Sequence, residues 1–341
     1  MPALIDGDFL EIEGHSIAVS NLDRVYWPAT PGQPAITKCD FLGYLVRMAP
    51  RMLPYLKDRP LTLFRWPEGI QSRRVLEKHP RRALPSFLEQ VTIYSETKGE
   101  DDVYMLCNNL PTLLWLGERA ALEMHVWHSR VKSSPDSDAP ELASGSKTNL
   151  LRSIVNHPDY LLLDLDPYIY SGDEMKGAEP APNPDAFKRA REVAFWLKEL
   201  LDAIPLRSFV KTSGKTGLHV IVPIVRNLRF DEVRKMAAVI CMELVKTHGE
   251  YVTTEWDTKK RTGKVFLDFN MNVRGKSMIA PYCPRGLAGA PISIPIAWNA
   301  LERIAPSGVS MLDVKANRAD AWVEIEASKQ NLGEVLTRRR R

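Results

Sequence analysis

Apolar residues recur at helical spacing over residues 38–57 (KCDFLGYLVRMAPRMLPYLK), with Thr37 placed to cap the first turn. Pro50 and Pro54 fall inside this pattern and are expected to kink or shorten the helix, because each removes an N–H and crowds the preceding turn. An extended segment follows at 61–65, and 110–121 (LPTLLWLGERAA) reads as a helix with proline in its first turn. Residues 133–149 are polar and rich in Ser, Pro and Asp, which marks a surface loop or linker and the best candidate boundary. Beyond it the pattern changes. An apolar strand at 160–166 ends in acids, and 167–184 is a Pro/Gly-rich loop. Residues 185–204 present one apolar helix face. Strands at 208–212 and 218–224 are joined by Ser-Gly-Lys-Thr-Gly, a second amphipathic helix spans 230–248, and a further strand spans 264–270. No internal repeat is visible. Strands with two interleaved helices and short hairpin links predict an α/β or α+β sheet with helices on one face.

Charge changes this picture more than composition does. The 341 residues carry 46 Lys and Arg against 42 Asp and Glu, a formal net charge of +4. Arg338 to Arg341 supply the whole excess, so any basic surface on the body must come from segregation. Residues 47–82 hold ten basic and three acidic residues, 159–185 one basic and seven acidic, and 256–286 seven basic and two acidic. Solvated faces explain such blocks as well as a polyanion held beside a cation site does. A hydrophobic share of 44% and a charged share of 26% are ordinary for one large or two medium globular domains. No run approaches the roughly 18 apolar residues of a membrane span, and the acidic start lacks the layout of a signal peptide. Cys39, Cys107, Cys241 and Cys283 are too scattered for a zinc site or a disulfide framework. A soluble intracellular protein is expected.

The sharpest chemical feature is Asp164 and Asp166 in LLLDLDP. Residues two apart on a strand share a face, and two carboxylates that close repel unless a cation joins them. Hard oxygen ligands of this kind suit Mg²⁺ or Mn²⁺; two exposed strand-end acids are the bland alternative. Asp268 ends another apolar strand (KVFLDFN) and would complete a two-metal site, unless it pairs with Lys259, Lys260 or Lys264. Between them, Lys211-Thr-Ser-Gly-Lys-Thr-Gly-Leu-His219 is no Walker A motif: position 209 is Phe, and a β-pattern follows instead of a helix. Its glycines and Ser213, Lys215, Thr216 and His219 could still cradle a phosphate; the alternative is a glycine hairpin with polar tips. His125 in LEMHVWHSR reads on its own as a satisfied core histidine.

Taken in order, these blocks resemble the polymerase domain of bacterial and archaeal non-homologous end-joining DNA ligases, of the archaeo-eukaryotic primase superfamily. The matching blocks are Asp164-Leu-Asp166, Thr212-Ser-Gly-Lys-Thr-Gly-Leu-His219, and Asp268 followed by Ala280-Pro-Tyr-Cys-Pro-Arg-Gly286. The N-terminal half contributes Asn21-Leu-Asp-Arg-Val-Tyr-Trp-Pro28, Thr37-Lys38, Arg59-Pro-Leu-Thr-Leu, Trp66-Pro-Glu-Gly69, Glu77-Lys78 and Leu122-Glu-Met-His125. The resemblance covers roughly residues 15–325. It implies a primase-polymerase fold: α+β, a central mostly antiparallel sheet with an RNA-recognition-motif-like catalytic core, flanked by helices. It implies one domain over 1–325, with 1–132 binding DNA and its 5′-phosphate, a loop at 133–150, the core at 151–325 and a basic tail at 326–341.

The implied activity is DNA-dependent, ribonucleotide-preferring nucleotidyl transfer that fills short gaps in end joining or excision repair. The alternatives are de novo priming, a Mn²⁺-dependent glycosyltransferase and an inactive DNA-end binding module. Asp164, Asp166 and Asp268 are implied as ligands of two Mn²⁺ or Mg²⁺ ions. His125, Ser213, Lys215, Thr216, Gly217, His219, Lys276, Arg285 and Arg65 are implied near an incoming NTP or dNTP. Asn21, Arg24 and Lys38 would hold the 5′-phosphate, and Lys78 would bind DNA. Implied partners are gapped or broken duplex DNA with a 5′-phosphate, Ku, and a separate DNA ligase, since no K-x-D-G lysine motif is present. No membrane is implied, and the location is a prokaryotic cytoplasm at the nucleoid. The chain departs from many relatives in having Arg24 for lysine, Val75 and Leu76 for two stacking aromatics, Lys215 one place early, and a longer 167–184 loop.

Overall fold

The computed structural model describes residues 4–6, 8–136, 139–167, 183–304, 308–315 and 319–338, with side chains from residue 8 to 335. Most of the expected 167–184 loop and Arg339 to Arg341 of the tail lie outside the described residues.

The first long helix spans Lys38–Leu56. Thr37 Oγ1 accepts from Asp40 N, and Asp40 returns the bond to Thr37 N, closing a capping box. Pro50 and Pro54 do not shorten the helix, which runs on through both. Burial of Phe41, Leu45, Met48, Met52 and Leu56 on one face outweighs the hydrogen bonds the prolines remove. Its partner helix, Leu110–Glu118, is shorter than the expected 110–121, because Ala120 takes a left-handed backbone (φ 59°) that turns the chain into a strand. The two helices approach closely at Gly117, where a Cβ would lie 2.5 Å from Leu45 Cδ1.

Two sheets carry the chemistry. One is four-stranded, in the order Ser277–Ile279, Ala121–Trp127, Leu61–Arg65, Val75–Glu77. The other is six-stranded: Val252–Thr253, Val265–Asp268, Tyr160–Asp166, Leu218–Pro223, Phe209–Thr212, Pro295–Ile296. Its pairs are antiparallel apart from the first. The helices Pro184–Ala203 and Phe230–His248 pack on each other and on this sheet. Mixed α and β with mostly antiparallel sheets is the expected class. The strand expected at 264–270 stops at Asp268, which caps the 3-10 turn Phe269–Met271 by accepting from Asn270 N at 2.9 Å.

One cluster of buried side chains runs from Leu10 to Leu332. At its centre Arg59 donates to both oxygens of Asp159 (2.8 and 2.7 Å), and neither side chain is exposed. Arg130 Nε adds a second cation at 3.0 Å, and Arg59 lies over the Tyr160 ring at 4.5 Å. Arg59 is thus an interior strut, so the basic stretch 47–82 is not one continuous charged face. Burial pushes the Asp159 carboxyl up, but Arg59 and Arg130 outweigh it and hold it down at about 2. A depressed carboxyl contributes stability above its unfolded value, near 3.8, and loses it as pH falls through about 2. Asp159→Ala strands two buried guanidinium groups and should cost about 3–5 kcal/mol in denaturant unfolding. Its stability should also respond less to pH between about 4 and 2 than that of the wild type.

Candidate active site

Strand register assembles the site. In the six-stranded sheet Asp164 pairs directly with Asp268 on one side and with His219 on the other, and His219 pairs with Lys211. Residues directly opposite on antiparallel strands share a face with Cβ atoms about 5 Å apart. Lys211, His219, Asp164 and Asp268 therefore form one row across four strands, with Asp166 next to it. Lys211 and His219 face each other because the loop 213–217 closes a hairpin that already pairs Thr212 with Leu218.

The row opens into a cleft of about 230 Å³ between the two sheets, lined by Asp164, Asp166, Ser213, Lys215, Thr216 and His219 from one side. His125, Ser277, Met278, Ile279 and Arg285 line the other. Burial, then Asp166 and then Asp268, pushes the Asp164 carboxyl well above the usual range. Burial and Asp268 push Asp166 up to about 6, and burial raises Asp268. Asp164 Oδ1 lies 3.4 Å from His219 Nε2, and Asp268 is turned to its own cap. The three carboxylates consequently do not close into a three-ligand cage; no such group exists among the described residues. Their shared face, hard oxygens and mutual repulsion nevertheless fit divalent ions of the Mg²⁺ or Mn²⁺ kind. None of the lysines considered as alternative partners holds Asp268: Lys264 donates to Gly249 O, and Lys260 pairs with Glu255.

Cationic and neutral donors complete the cleft. Burial, then Lys211 and Arg285, hold the His219 imidazole well below its ordinary range, so it is neutral near pH 7. His125 is lowered too, by burial first, although Glu123 pulls it up across a 3.0 Å bond. Glu123 receives the Gly286 N–H (2.9 Å) and pairs with Arg285 Nε (3.2 Å). Burial raises Glu123, but the His125 bond and Arg285 outweigh it, to about 2. Glu123 thereby locks the Arg285–Gly286 corner to the four-stranded sheet. Trp27 Nε1 donates to Arg285 O at 2.9 Å, and a Cβ on Gly286 would lie 2.5 Å from the Trp66 ring. In the loop, Ser213 Oγ accepts from Lys215 N (3.2 Å) and Gly217 N (3.0 Å). A Cβ on Gly217 would lie 2.5 Å from Leu165 O. Close approach to the Asp164–Asp166 strand is what requires glycine there.

The remaining expected residues lie elsewhere. Lys276 is exposed, near enough to Asp268 to lower its pKa. Arg65 is outside the cleft: it pairs across the sheet with Ala121, whereas His125 pairs with Thr62. Lys78 is exposed. Asn21, Arg24 and Lys38 come together at the N-terminus of the Lys38–Leu56 helix, where Lys38 N donates to Arg24 O. Lys211 and Glu123 stand inside segments singled out in the sequence but were given no role there. Each carried a signal: Glu123 is two residues from His125 on one strand, and Lys211 falls opposite His219 once the hairpin is counted inward.

With this geometry in place, the comparisons with known proteins decide the family. The family model "LigD, primase-polymerase domain" matches residues 37–322. The chain belongs to the LigD primase-polymerase domain family. Asn21 and Arg24 precede the matched segment. The chain is 30% identical over 286 residues to the multifunctional non-homologous end joining protein LigD of Mycobacterium bovis, covering 84% of this chain and 33% of that protein. It is 27% identical over 283 residues to the bifunctional non-homologous end joining protein LigD of Bacillus subtilis, covering 83% of this chain and 39% of that one. The chain thus spans between a third and two fifths of the length of these two relatives. The polymerase domain of Mycobacterium tuberculosis Ligase D, solved in complex with DNA, superposes with a TM-score of 0.73 at 28% identity, covering 92% of this chain and 99% of that one. The LigD primase-polymerase fold is therefore shared along nearly the whole chain.

Relief of repulsion should be measurable without any substrate. A carboxyl raised from 3.8 to about 6 costs stability once it ionises, so the cost grows as pH rises through that window. Asp166→Asn should raise the melting temperature in chelator at pH 7.5 by roughly 2 °C, with the gain shrinking toward pH 4. Scanning calorimetry at the two pH values checks it.

Proposed function

We propose that the chain is a DNA-directed nucleotidyltransferase that fills short gaps at DNA breaks in non-homologous end joining. The observation that carries this reading is the row of Asp164, Asp268 and His219, with Asp166 and the Ser213–Thr216 loop beside it, and Arg285 and His125 on the other side of one cleft. Family membership points the same way, and priming without a primer is the less favoured task. The protein sits next to broken DNA in a bacterial cell, and a ligase activity seals what it fills. Ku is a further partner that this task admits.

Asp164, Asp166 and Asp268 would hold two divalent ions. When bound, such ions neutralise the triphosphate and lower the pKa of a primer 3′-hydroxyl. The chain's own residues do the rest. Arg285, braced by Glu123, presents its guanidinium toward the β- and γ-phosphates, joined by Lys215 and the loop around Ser213. Neutral His219 donates a hydrogen bond without drawing a carboxylate away from the ions, as an imidazolium would. His125, fixed by Glu123 and edge-on to Phe64 at 4.9 Å, bounds the sugar and base side of the cleft. That geometry supports a preference for ribonucleotides, because polar donors rather than a bulky apolar wall meet the sugar. Arg24, whose partner Glu68 is largely exposed, remains able to exchange that carboxylate for a DNA phosphate.

The test is extension of a primer across a gapped duplex of one to several nucleotides, with NTPs or dNTPs and Mg²⁺ or Mn²⁺. Wild type should add nucleotides. Asp166→Ala should abolish addition and leave DNA affinity within about two-fold, since it removes no phosphate-binding cation. Near-wild-type extension by that variant would remove the metal-site assignment. Gly217→Ala pushes the loop off Leu165 O and should slow addition by about 100-fold, DNA affinity again unchanged. Single-turnover extension beside anisotropy titrations measures both.

A further inference from the structure

The N-terminus of the Lys38–Leu56 helix, where a DNA phosphate would be sought first, is already satisfied from within. Lys38 Nζ lies 2.5 Å from Glu118 Oε1 and donates to Ser20 O at 2.8 Å, with its side chain almost wholly buried. Arg24 donates to Glu68 and to Pro67 O, both at 2.8 Å. The first three helical N–H groups are taken by Arg24 O, Leu22 O and Thr37 Oγ1. A phosphate drawn there is left with Arg24 once the exposed Glu68 gives way, since the first amides are taken and Lys38 is held by Glu118.

A second pocket, of about 240 Å³, is the reverse case. It is lined by Arg65, Arg81, Arg82 and Arg119 with Glu77, Val75 and Leu76. Four guanidinium groups face one carboxylate, and that carboxylate is engaged by Arg65 at 2.6 Å. Arg65 Nε is fixed on Arg119 O at 2.7 Å, so the fork is held in place by the end of the Leu110–Glu118 helix. Arg119 lies over the Trp115 ring at 4.8 Å. Among the described residues, Arg81, Arg82 and Arg119 form no ion pair. Burial first, then Arg65, pulls the Arg119 pKa below the usual arginine range, as expected of a cation crowded by others. Val75 (37% exposed) and Leu76 (48%) make an apolar shoulder at the rim.

The pocket is separate from the cleft and adjoins the helix terminus. Arg65 and Thr62, the partners of Ala121 and His125, lie three residues apart on one strand, about 10 Å. On the other side, Glu118, which pairs with Lys38, directly precedes Arg119 at the end of its helix. A strand of DNA leaving the cleft along this edge would meet the arginine pocket next.

We propose that Arg65, Arg81, Arg82 and Arg119 form a phosphate site for a DNA strand, distinct from the nucleotide cleft. The guanidinium fork matches phosphate oxygens bidentately, and such contacts set register without reading sequence. The Val75–Leu76 shoulder packs against the adjoining sugar. The phosphate is either the terminal 5′-phosphate of a gap or an internal phosphodiester; the chemistry is the same. This inference rests on the DNA-directed reading above.

The experiment uses the full chain, wild type and R81A/R82A, both positions being exposed loop residues, with circular dichroism expected to show an unchanged fold. Anisotropy titrations follow gapped duplex with a 5′-phosphate, the same gap with a 5′-hydroxyl, and unbroken duplex, each from about 50 to 200 mM salt. Binding of NTP with Mn²⁺ is measured in parallel. The double variant should weaken DNA binding by at least about 10-fold and flatten the plot of log affinity against log salt by one to two units, with NTP binding unchanged. Loss confined to the 5′-phosphate gap assigns the terminal phosphate, and equal loss on all three DNAs assigns an internal phosphodiester. Unchanged DNA affinity and slope overturns the site, as does a loss of NTP binding with DNA binding intact. Wild type that extends no primer but binds DNA through Arg81 and Arg82 would sink the polymerase reading and keep the pocket.

Discussion

Two carboxylates held directly opposite each other on adjacent antiparallel strands, with a third two residues further along one of them, repel at the edge of a cleft. That repulsion marks the half of the protein that carries the six-stranded sheet. The strand Tyr160–Asp166 is paired on both sides, so neither Asp164 nor Asp268 can move away from the other. The backbone ladder fixes the positions, and the apolar residues alternating with the acids fix the face. Side-chain rotation is the remaining freedom: Asp164 turns toward His219, and Asp268 caps the turn that follows. Divalent ions would draw the three together, and the raised carboxyls are the energetic form of that readiness.

The N-terminal half supplies the opposite wall. Trp27, Trp66, Glu123 and His125 come from the first 130 residues, yet all of them brace or flank Arg285 and Gly286. The buried Arg59–Asp159 pair links the same two halves behind the site. The cleft thus depends on contacts between distant parts of the chain, and a fault in either half is expected to reach it.

Much of this was legible in the sequence. Apolar runs and helical spacing located the strands of the acid row and both sheet-packed helices to within a residue or two, because each is largely buried. The acids were visible as charges that interrupt apolar strands. What was not legible has physical causes. The helix through Pro50 and Pro54 is a case of burial overriding a local breaker. Lys38 was expected to hold a 5′-phosphate and Arg59 was counted in the basic stretch 47–82, and only the fold reveals the carboxylates of Glu118 and Asp159 that pair with them. The hairpins Phe9–Ile12 with His15–Ala18, and Gln90–Ser95 with Glu100–Met105, do alternate, with Leu10, Ile12, Val91 and Ile93 buried, but over runs too short to have been singled out. Arg65 was assigned to the nucleotide, but strand register carries it to the arginine pocket.

The central claim is that one strand register creates the cation and nucleotide site. The most direct measurement is a crystal soaked with Mn²⁺ and a non-hydrolysable NTP, examined by anomalous diffraction. The account predicts Mn²⁺ peaks bounded by Asp164, Asp166 and Asp268, with the triphosphate running past Ser213 and His219 to Arg285. Mn²⁺ bound away from these three carboxylates, or a nucleotide lodged outside the cleft between the two sheets, would contradict it.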